Sequence, residues 1–210
     1  MHQLRYALYY ASMNQLRCER DGCSRMAFFR SHTCLEHSQD STAAAAAAID
    51  FLLQQSELRN LCFDGLCMSG LQLSGRTFER CSFRHCAIER CELSRVKFNL
   101  CFLEFARISS CSFAHSDIRR SVFGVSRLSS NDFSDCELIE CNFNGVSCTD
   151  TCFDDSDLLS SRFIAADLSR VGFRNCNVRE VHFGNTSLAS CDFRYSNIED
   201  AYRQIPGRRL

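Results

Sequence analysis

From Leu58 to Ile198 every fifth residue is apolar, without an insertion, a deletion or a change of phase. The 29 positions of this frame hold only Leu, Phe, Ile, Met, Val and one Cys, Cys148. A helix repeats its buried face about every 3.6 residues and a strand every second residue, so neither produces a period of five. A short fixed period sustained over this length specifies a solenoid, in which each repeat buries its apolar residue against its neighbours. The residue two before each apolar centre is Cys, Ser, Val, Ala or Thr in 24 of the 29 cases, as in Cys81-Ser82-Phe83, Cys111-Ser112-Phe113, Ala166-Asp167-Leu168 and Ser196-Asn197-Ile198.

A small residue, often Asn or Asp, a central Leu or Phe and two variable residues make up a unit that resembles the pentapeptide-repeat family, over about residues 56–200. The resemblance implies an all-β solenoid, a right-handed quadrilateral β-helix with four pentapeptides per square coil. It implies that the centre and the small residue point inward and that the other three face solvent. The Phe residues fit four walls: eleven of the 14 centres numbered in 3 are Phe, from Phe63 to Phe193, against only Phe78 and Phe98 of the 15 numbered in 8. A ten-residue alternation puts Phe on two opposite walls and aliphatic residues on the other two, which suits close packing of a narrow bore. At about 4.8 Å per coil this gives roughly seven coils and a rod about 34 Å long.

Sixteen cysteines in 210 residues could signal a secreted disulfide scaffold. Nine of them, however (Cys81, Cys86, Cys91, Cys101, Cys111, Cys136, Cys141, Cys176 and Cys191), occupy the small inward position, where a thiol packs as a small apolar group. No run approaches the roughly 18 apolar residues of a membrane span. Met1-His2-Gln3-Leu4-Arg5 lacks the basic-then-apolar layout of a signal peptide. The expectation is a soluble intracellular protein, cytoplasmic, with reduced thiols and no membrane partner.

Residues 1–40 break the frame. Cys18-x4-Cys23-x10-Cys34-x2-His37 offers three thiolates and an imidazole, the Cys3His set of closed tetrahedral structural Zn2+ sites. Arg20-Asp21-Gly22 supplies a turn inside the first pair, and the segment resembles a short zinc knuckle or treble-clef-like module. His32 is a spare ligand. Four protein ligands leave no open position for a catalytic water, so the site implies structure or recognition. Residues 41–57 read as a helix, capped by Ser41 and running through Ala43–Ala48, that plugs the N-terminal mouth of the solenoid in residues 58–200. Leu61, Leu66 and Leu71, bulky on small positions, suit an irregular first coil. In the tail, residues 201–210, Tyr202 and Ile205 fold over the last coil, or a second copy covers it in an end-to-end homodimer.

No Gly-rich phosphate loop, nucleophile elbow or HExxH occurs, and Asp154, Asp155 and Asp157 read as solvated charge on a convex rod, so no catalytic residue is expected. The outer surface carries more information. Leu100, Phe102, Phe105, Val122 and Val125 fall on outward positions, with Phe102 over Val122 and Phe105 over Val125 one coil apart. Ile139 and Leu159 form a second stripe with Ile164 nearby. Outward apolar clusters mark a contact, either with the N-terminal unit or with another protein. Charge is polarised: residues 76–127 carry ten basic and five acidic side chains, residues 128–170 two basic and nine acidic.

Two functions follow. One is a non-catalytic scaffold and protein–protein interaction module in an intracellular assembly. The other, implied by the resemblance to quinolone-resistance members of the family, is a DNA-mimicking inhibitor of gyrase or topoisomerase. An acidic band only about two coils long, flanked by basic coils, does not match a duplex along the whole rod. The chain is not basic and has few outward aromatics, so nucleic acid is not an expected partner.

Overall fold

In the computed structural model, which describes residues 16–202, the five-residue frame becomes a four-walled solenoid. Residues twenty apart pair in parallel register, Leu58 beside Phe78 and Met68 beside Ile88. The chain visits the walls in a fixed order. The first is a ladder of single bridges through Cys62, Ser82, Phe102, Val122, Asn142, Arg162, His182 and Tyr202. The second is a six-stranded sheet of Cys67–Ser69, Ala87–Glu89, Arg107–Ser109, Arg127–Ser129, Ser147–Thr149 and Asp167–Ser169. The third is a ladder from Gln72 through Glu92, Ser112, Asp132 and Cys152 to Gly172. The fourth is a five-stranded sheet of Glu57–Arg59, Thr77–Glu79, Lys97–Asn99, Asp117–Arg119 and Glu137–Ile139. In every strand of these two sheets the middle residue is the buried frame residue.

Each corner turns through a left-handed residue, such as Arg80 (φ 52°), His85 (57°), Val125 (57°) and Asp155 (61°). This conformation is uncommon outside glycine and strained for a β-branched residue. A corner also breaks the ladder, so its amide and carbonyl need partners beside an apolar bore. Some corners close on themselves, with the Ser126 amide donating to the Phe123 carbonyl at 3.1 Å. At others a side chain from the next coil is inserted into the turn. The Ser116 hydroxyl accepts from the Val96 amide at 3.1 Å and donates to the Leu93 carbonyl at 3.2 Å. Ser156 joins the Cys136 amide (2.9 Å) to the Phe133 carbonyl (2.8 Å) in the same way. Asn131, an exception among the small residues, does it with its carboxamide, accepting from Cys111 N and donating to Ile108 O. The inward thiols are therefore more than small apolar filler: Cys136 and Cys141 donate to Phe113 and Ile118 carbonyls at 3.0 and 3.2 Å.

The N-terminal mouth is closed jointly by a helix and by the segment before it. Helix α1 (Ser41–Gln54) buries Ala48 and Leu52. Its N-cap is Asp40, whose carboxylate accepts from Ala43 N at 2.9 Å; Ser41, the expected cap, is the first helical residue. At the other end Arg76 donates to the carbonyls of Leu52 (2.8 Å), Leu53 (2.7 Å) and Gln55 (3.0 Å), satisfying the open end of the helix. Phe29 occupies the place that a frame residue one coil before Phe63 would take. Its amide donates to Cys62 O at 2.7 Å, as Phe63 N does to Ser82 O, and its ring stacks on Phe63 at 5.5 Å. Phe51 of α1 packs on Phe29 at 5.0 Å, so the plug is Phe29 and α1 together. At the far end Tyr202 does not fold over the mouth; it continues the first wall, paired with His182, and stays 55% exposed. Ile205 lies outside the described residues.

The bore is filled from opposite walls by two columns of Phe. Within a column the rings stack in parallel, Phe123–Phe143 at 4.8 Å and Phe143–Phe163 at 4.7 Å. Across the bore they meet edge to face, Phe123–Phe133 at 6.1 Å and 88°, Phe143–Phe153 at 5.8 Å and 81°. Both arrangements suit the ring quadrupole, which favours edge-to-face contact where columns meet. Where the third wall carries Leu73 and Leu93, the fourth supplies Phe78 and Phe98, which fill most of the space and leave a cavity of about 10 Å3 between them, Met68 and Leu103. Phe143, fully buried between these neighbours, should be costly to truncate: Phe143→Ala should lower stability by about 3–5 kcal/mol, whereas outward Thr149→Ala should change it by less than about 0.5 kcal/mol. Urea unfolding of the two variants measures this, and equal losses would show the inward and outward assignment to be wrong.

Candidate metal centre and apolar ridge

A short antiparallel hairpin presents the first two ligand candidates. Arg17 pairs with Met26, Cys18 N donates to Arg25 O at 2.9 Å, and the tip closes through Cys23 N to Arg20 O at 3.0 Å. Gly22 at the tip has φ +76°, a conformation that favours glycine. The other two candidates come from the 3-10 turn Leu35–His37, where His37 N donates to Cys34 O at 3.0 Å. Hairpin and turn bring one ligand atom each from Cys18, Cys23, Cys34 and His37 within 4.8 Å of one another. Cys18 Sγ lies 3.4 Å from His37 Nδ1, and Cys23 Sγ lies 4.0 Å from Cys34 Sγ. Around a tetrahedral zinc-sized ion, bonds of about 2.3 Å to sulfur and 2.0–2.1 Å to nitrogen separate two sulfurs by about 3.8 Å and sulfur from nitrogen by about 3.6 Å. The four residues fit such an ion. His32, the spare candidate, stands apart from this cluster, exposed and facing Glu19 at 3.3 Å.

Cys18 differs electrostatically from most thiols of the bore. Burial pushes Cys136, Cys141 and Cys176 up to about 12, so these stay protonated and inert, whereas at Cys91 the neighbouring Cys111 thiol outweighs burial and lowers it to about 7. At Cys18 burial acts in the same sense but is outweighed by the amides of Cys34 and Arg20 and by the side chains of His37 and Cys23, and its pKa falls to about 6. Cys34 is raised, first by burial and then by the neighbouring thiols. Two or three thiolates at this spacing repel one another, and a bound cation removes that repulsion.

The outward apolar positions divide into two groups. Phe102 and Val122 are 2% and 7% exposed, so the expectation that they stand in water is corrected. They form a small cluster of their own outside the bore, and Arg84 lies over the Phe102 ring at 4.7 Å while its guanidinium pairs with Glu104 at 3.2 Å. Leu100, Ile139, Leu159 and Ile164 are half-buried. Phe105 and Val125 are 51% and 56% exposed, and no described part of the N-terminal unit covers them. His85 stacks on Phe105 at 5.0 Å and 7°, so His85, Phe105 and Val125 make one ridge along the corner between the first and second walls. The knuckle lies beside the start of that corner, with Leu35 approaching Gly65.

The acidic band is less open than its sequence suggests. Asp154, expected to be solvated, is 6% exposed; it accepts from Arg174 N at 2.9 Å and from Arg174 Nε at 2.7 Å. Its carboxylate fills the space above Gly172, where an added Cβ would lie 2.6 Å from Oδ1. Asp150 binds Arg170 through two oxygens, and Glu137 pairs with Arg119.

Residues 126–202 match the family described as "Pentapeptide repeat region". Among solved structures the chain is similar to a trypsin-treated form of QnrB1, a plasmid-mediated fluoroquinolone resistance protein. That likeness is 22% identical, covers 67% of this chain and 81% of the other, and has a TM-score of 0.45. It is also similar to HetL, a protein involved in heterocyst differentiation regulation in the cyanobacterium Nostoc, at 10% identity over 77% and 96% of the two chains and a TM-score of 0.25. A pentapeptide repeat protein of the Arabidopsis thaliana thylakoid lumen is similar at 16% identity over 64% and 70%, with a TM-score of 0.20. No curated protein matches the chain.

The division of the apolar positions is testable. Phe102→Ser should cost about 2–4 kcal/mol, because it empties a covered site under Arg84, and Phe105→Ser less than about 0.5 kcal/mol. Denaturant midpoints at unchanged slope give both values; equal midpoints would return Phe102 to the open surface.

Proposed function

We propose that this pentapeptide-repeat protein is a non-catalytic docking module, held rigid by its solenoid and capped by a structural Zn2+ site, that binds protein partners in the cytoplasm. The observation that carries the reading is the ridge of Phe105 and Val125, two apolar side chains more than half exposed, one coil apart. The repeat gives no packing reason for apolar residues there, and Val125 sits at φ 57°, a strained choice for a β-branched residue at a corner where glycine or asparagine would be easier. Leaving such area in water costs about 25 cal/mol per Å2, which a partner recovers by covering it. Half-buried Leu100 stands at the corner between the fourth and first walls, and Ile139 and Leu159 lie one above the other on the fourth wall, away from the ridge. Among the described residues no helix is long and apolar enough to cross a membrane. The acidic band supports DNA mimicry less well, since Glu137, Asp150 and Asp154 each face an arginine of this chain.

Zinc in this reading serves the plug. The chain between Cys23 and Cys34 carries Phe28 and Phe29, which seat on the first coil, so an ion joining those cysteines holds the plug in place. Elemental analysis of protein purified without chelator should find one Zn2+ per chain, and Cys34→Ser should release it. Chelation should speed amide exchange at Phe29, Phe63 and Phe83 while the coils from Phe123 to Phe173 keep their protection. Less than about 0.2 zinc per chain rules the ion out, because closed structural sites hold metal tightly. For the ridge, Phe105→Ser with Val125→Ser should remove the partners captured by wild type and leave the thermal midpoint unchanged; capture that survives the double change locates docking elsewhere.

A further inference from the structure

We infer that the second wall of the solenoid binds a second copy of this chain, side by side and antiparallel. The inference rests on reading the Phe105–Val125 ridge as a docking surface and names its occupant. Four observations on this wall support it. Arg107 and Arg127 stand directly beside each other in register, both exposed, with no ion-pair partner among the described residues. Like charges so placed repel unless a partner supplies the opposite sign. Asp167, two coils beyond Arg127 on the same column, is likewise exposed and unpaired. Between and around them the wall is smooth, with Ser109, Ser129, Ser147, Thr149 and Ser169. Along the bordering corner, bulky Phe105 and Val125 give way one coil further on to Gly145 and then Ala165, both exposed.

A two-fold axis lying across this wall, midway between Arg127 and Ser147, uses all four. It reverses the rod but leaves each corner on its own side, so levels on either side of the axis exchange. Arg107 then faces the partner's Asp167, and Arg127 the partner's Ser147. Val125 faces the partner's Gly145, and Phe105 the partner's Ala165, so the ridge of each copy enters the notch of the other. The same reversal lays residues 76–127, with ten basic and five acidic side chains, along residues 147–198, with five basic and seven acidic, favouring encounter in this orientation at low salt. A parallel two-fold, running along the rod, keeps each level opposite itself and exchanges the two corners of the wall, so it sets the Phe105–Val125 ridge against Ser110 and Ser130 and leaves Arg107 three coils from the partner's Asp167. The surface is flat and narrow, one wall of a slender rod, so the association is salt-sensitive and of the transient class.

Sedimentation velocity on the full chain at about 50 mM salt, up to about 200 μM protein, tests this. Wild type should show a concentration-dependent dimer that weakens as salt rises. Arg107→Asp and Asp167→Arg should each raise the dissociation constant at least about tenfold, and the double exchange should restore dimerisation to within about threefold of wild type. Both positions are exposed, and unchanged thermal midpoints confirm intact folding. A wild type that stays monomeric throughout, or a double exchange that fails to restore the dimer, overturns the inference; so does an end-to-end dimer, which would ignore both charge changes. If wild type is monomeric yet the ridge variant still loses its captured partners, the second copy is excluded while the docking reading survives.

Discussion

The structure depends on closing the backbone at every corner. A square coil turns four times in twenty residues, and each turn interrupts the parallel ladder beside an apolar bore. An amide or carbonyl left open there would cost a kilocalorie or more, and the solenoid has a corner every five residues. The chain solves this with short side chains that reach from one coil into the turn of the previous one, Ser116 into Leu93–Val96 and Ser156 into Phe133–Cys136. The inward small position must therefore be narrow enough to let the walls approach and, at these corners, polar enough to donate and accept. Ser and Thr do both, Cys donates, and Asn131 shows that a carboxamide of suitable reach will serve. Alanine would fit the volume and leave the turn open.

Each coil also pairs its backbone and stacks its rings on the coil before it, and the first coil has none, which would leave the Cys62 carbonyl and the Phe63 ring without a partner. That is the physical reason for the N-terminal unit. Phe29 supplies the missing ring and the missing amide, α1 covers the remaining apolar area, and Arg76 ties the last carbonyls of α1 to the second coil. Nothing in residues 23–34 has helical or strand periodicity strong enough to hold Phe29 there unaided. The Cys3His cluster brackets that loop at both ends, so an ion held by it would couple its own binding to capping of the rod.

The five-residue frame made the walls, the Phe columns and the inward thiols legible, because burial repeats at a period no other structure uses. The Cys3His set was legible because its four members lie outside the frame that accounts for most other cysteines. Contacts between residues twenty apart were harder to see. Phe102 and Asp154 sit on nominally outward positions, but Arg84 and Arg174, each one coil away, cover them. A frame that assigns inside and outside by position alone has no term for a long side chain lying across its neighbour. Phe29 was missed for a different reason: its register is set by a hydrogen bond to Cys62, and no local pattern announces it. The helix cap fell one residue off, since Asp40 and Ser41 are both good caps and only the geometry of the entering chain selects between them.

Because every coil is interchangeable in its core, distinction between coils lies almost wholly outside it. Core substitutions along a column exchange Phe for Leu or Ile and keep most of the bore filled, as where Phe78 and Phe98 replace the rings absent at Leu73 and Leu93. The outer positions are free of that constraint, so departures there carry the information that core positions cannot. Half of the outer residues in the strands of the second wall are Ser or Thr, which neither bind strongly nor resist contact. Against that background Arg107, Arg127 and Asp167, unpaired among the described residues, and the exposed Phe105 and Val125 stand out by type, and all five lie on one wall and its bordering corner. On a rod whose backbone repeats every twenty residues, such a coincidence of position is a pattern at the coil spacing, and a ligand able to read it must itself be straight, rigid and of the same spacing. A second solenoid meets that requirement without any change of shape.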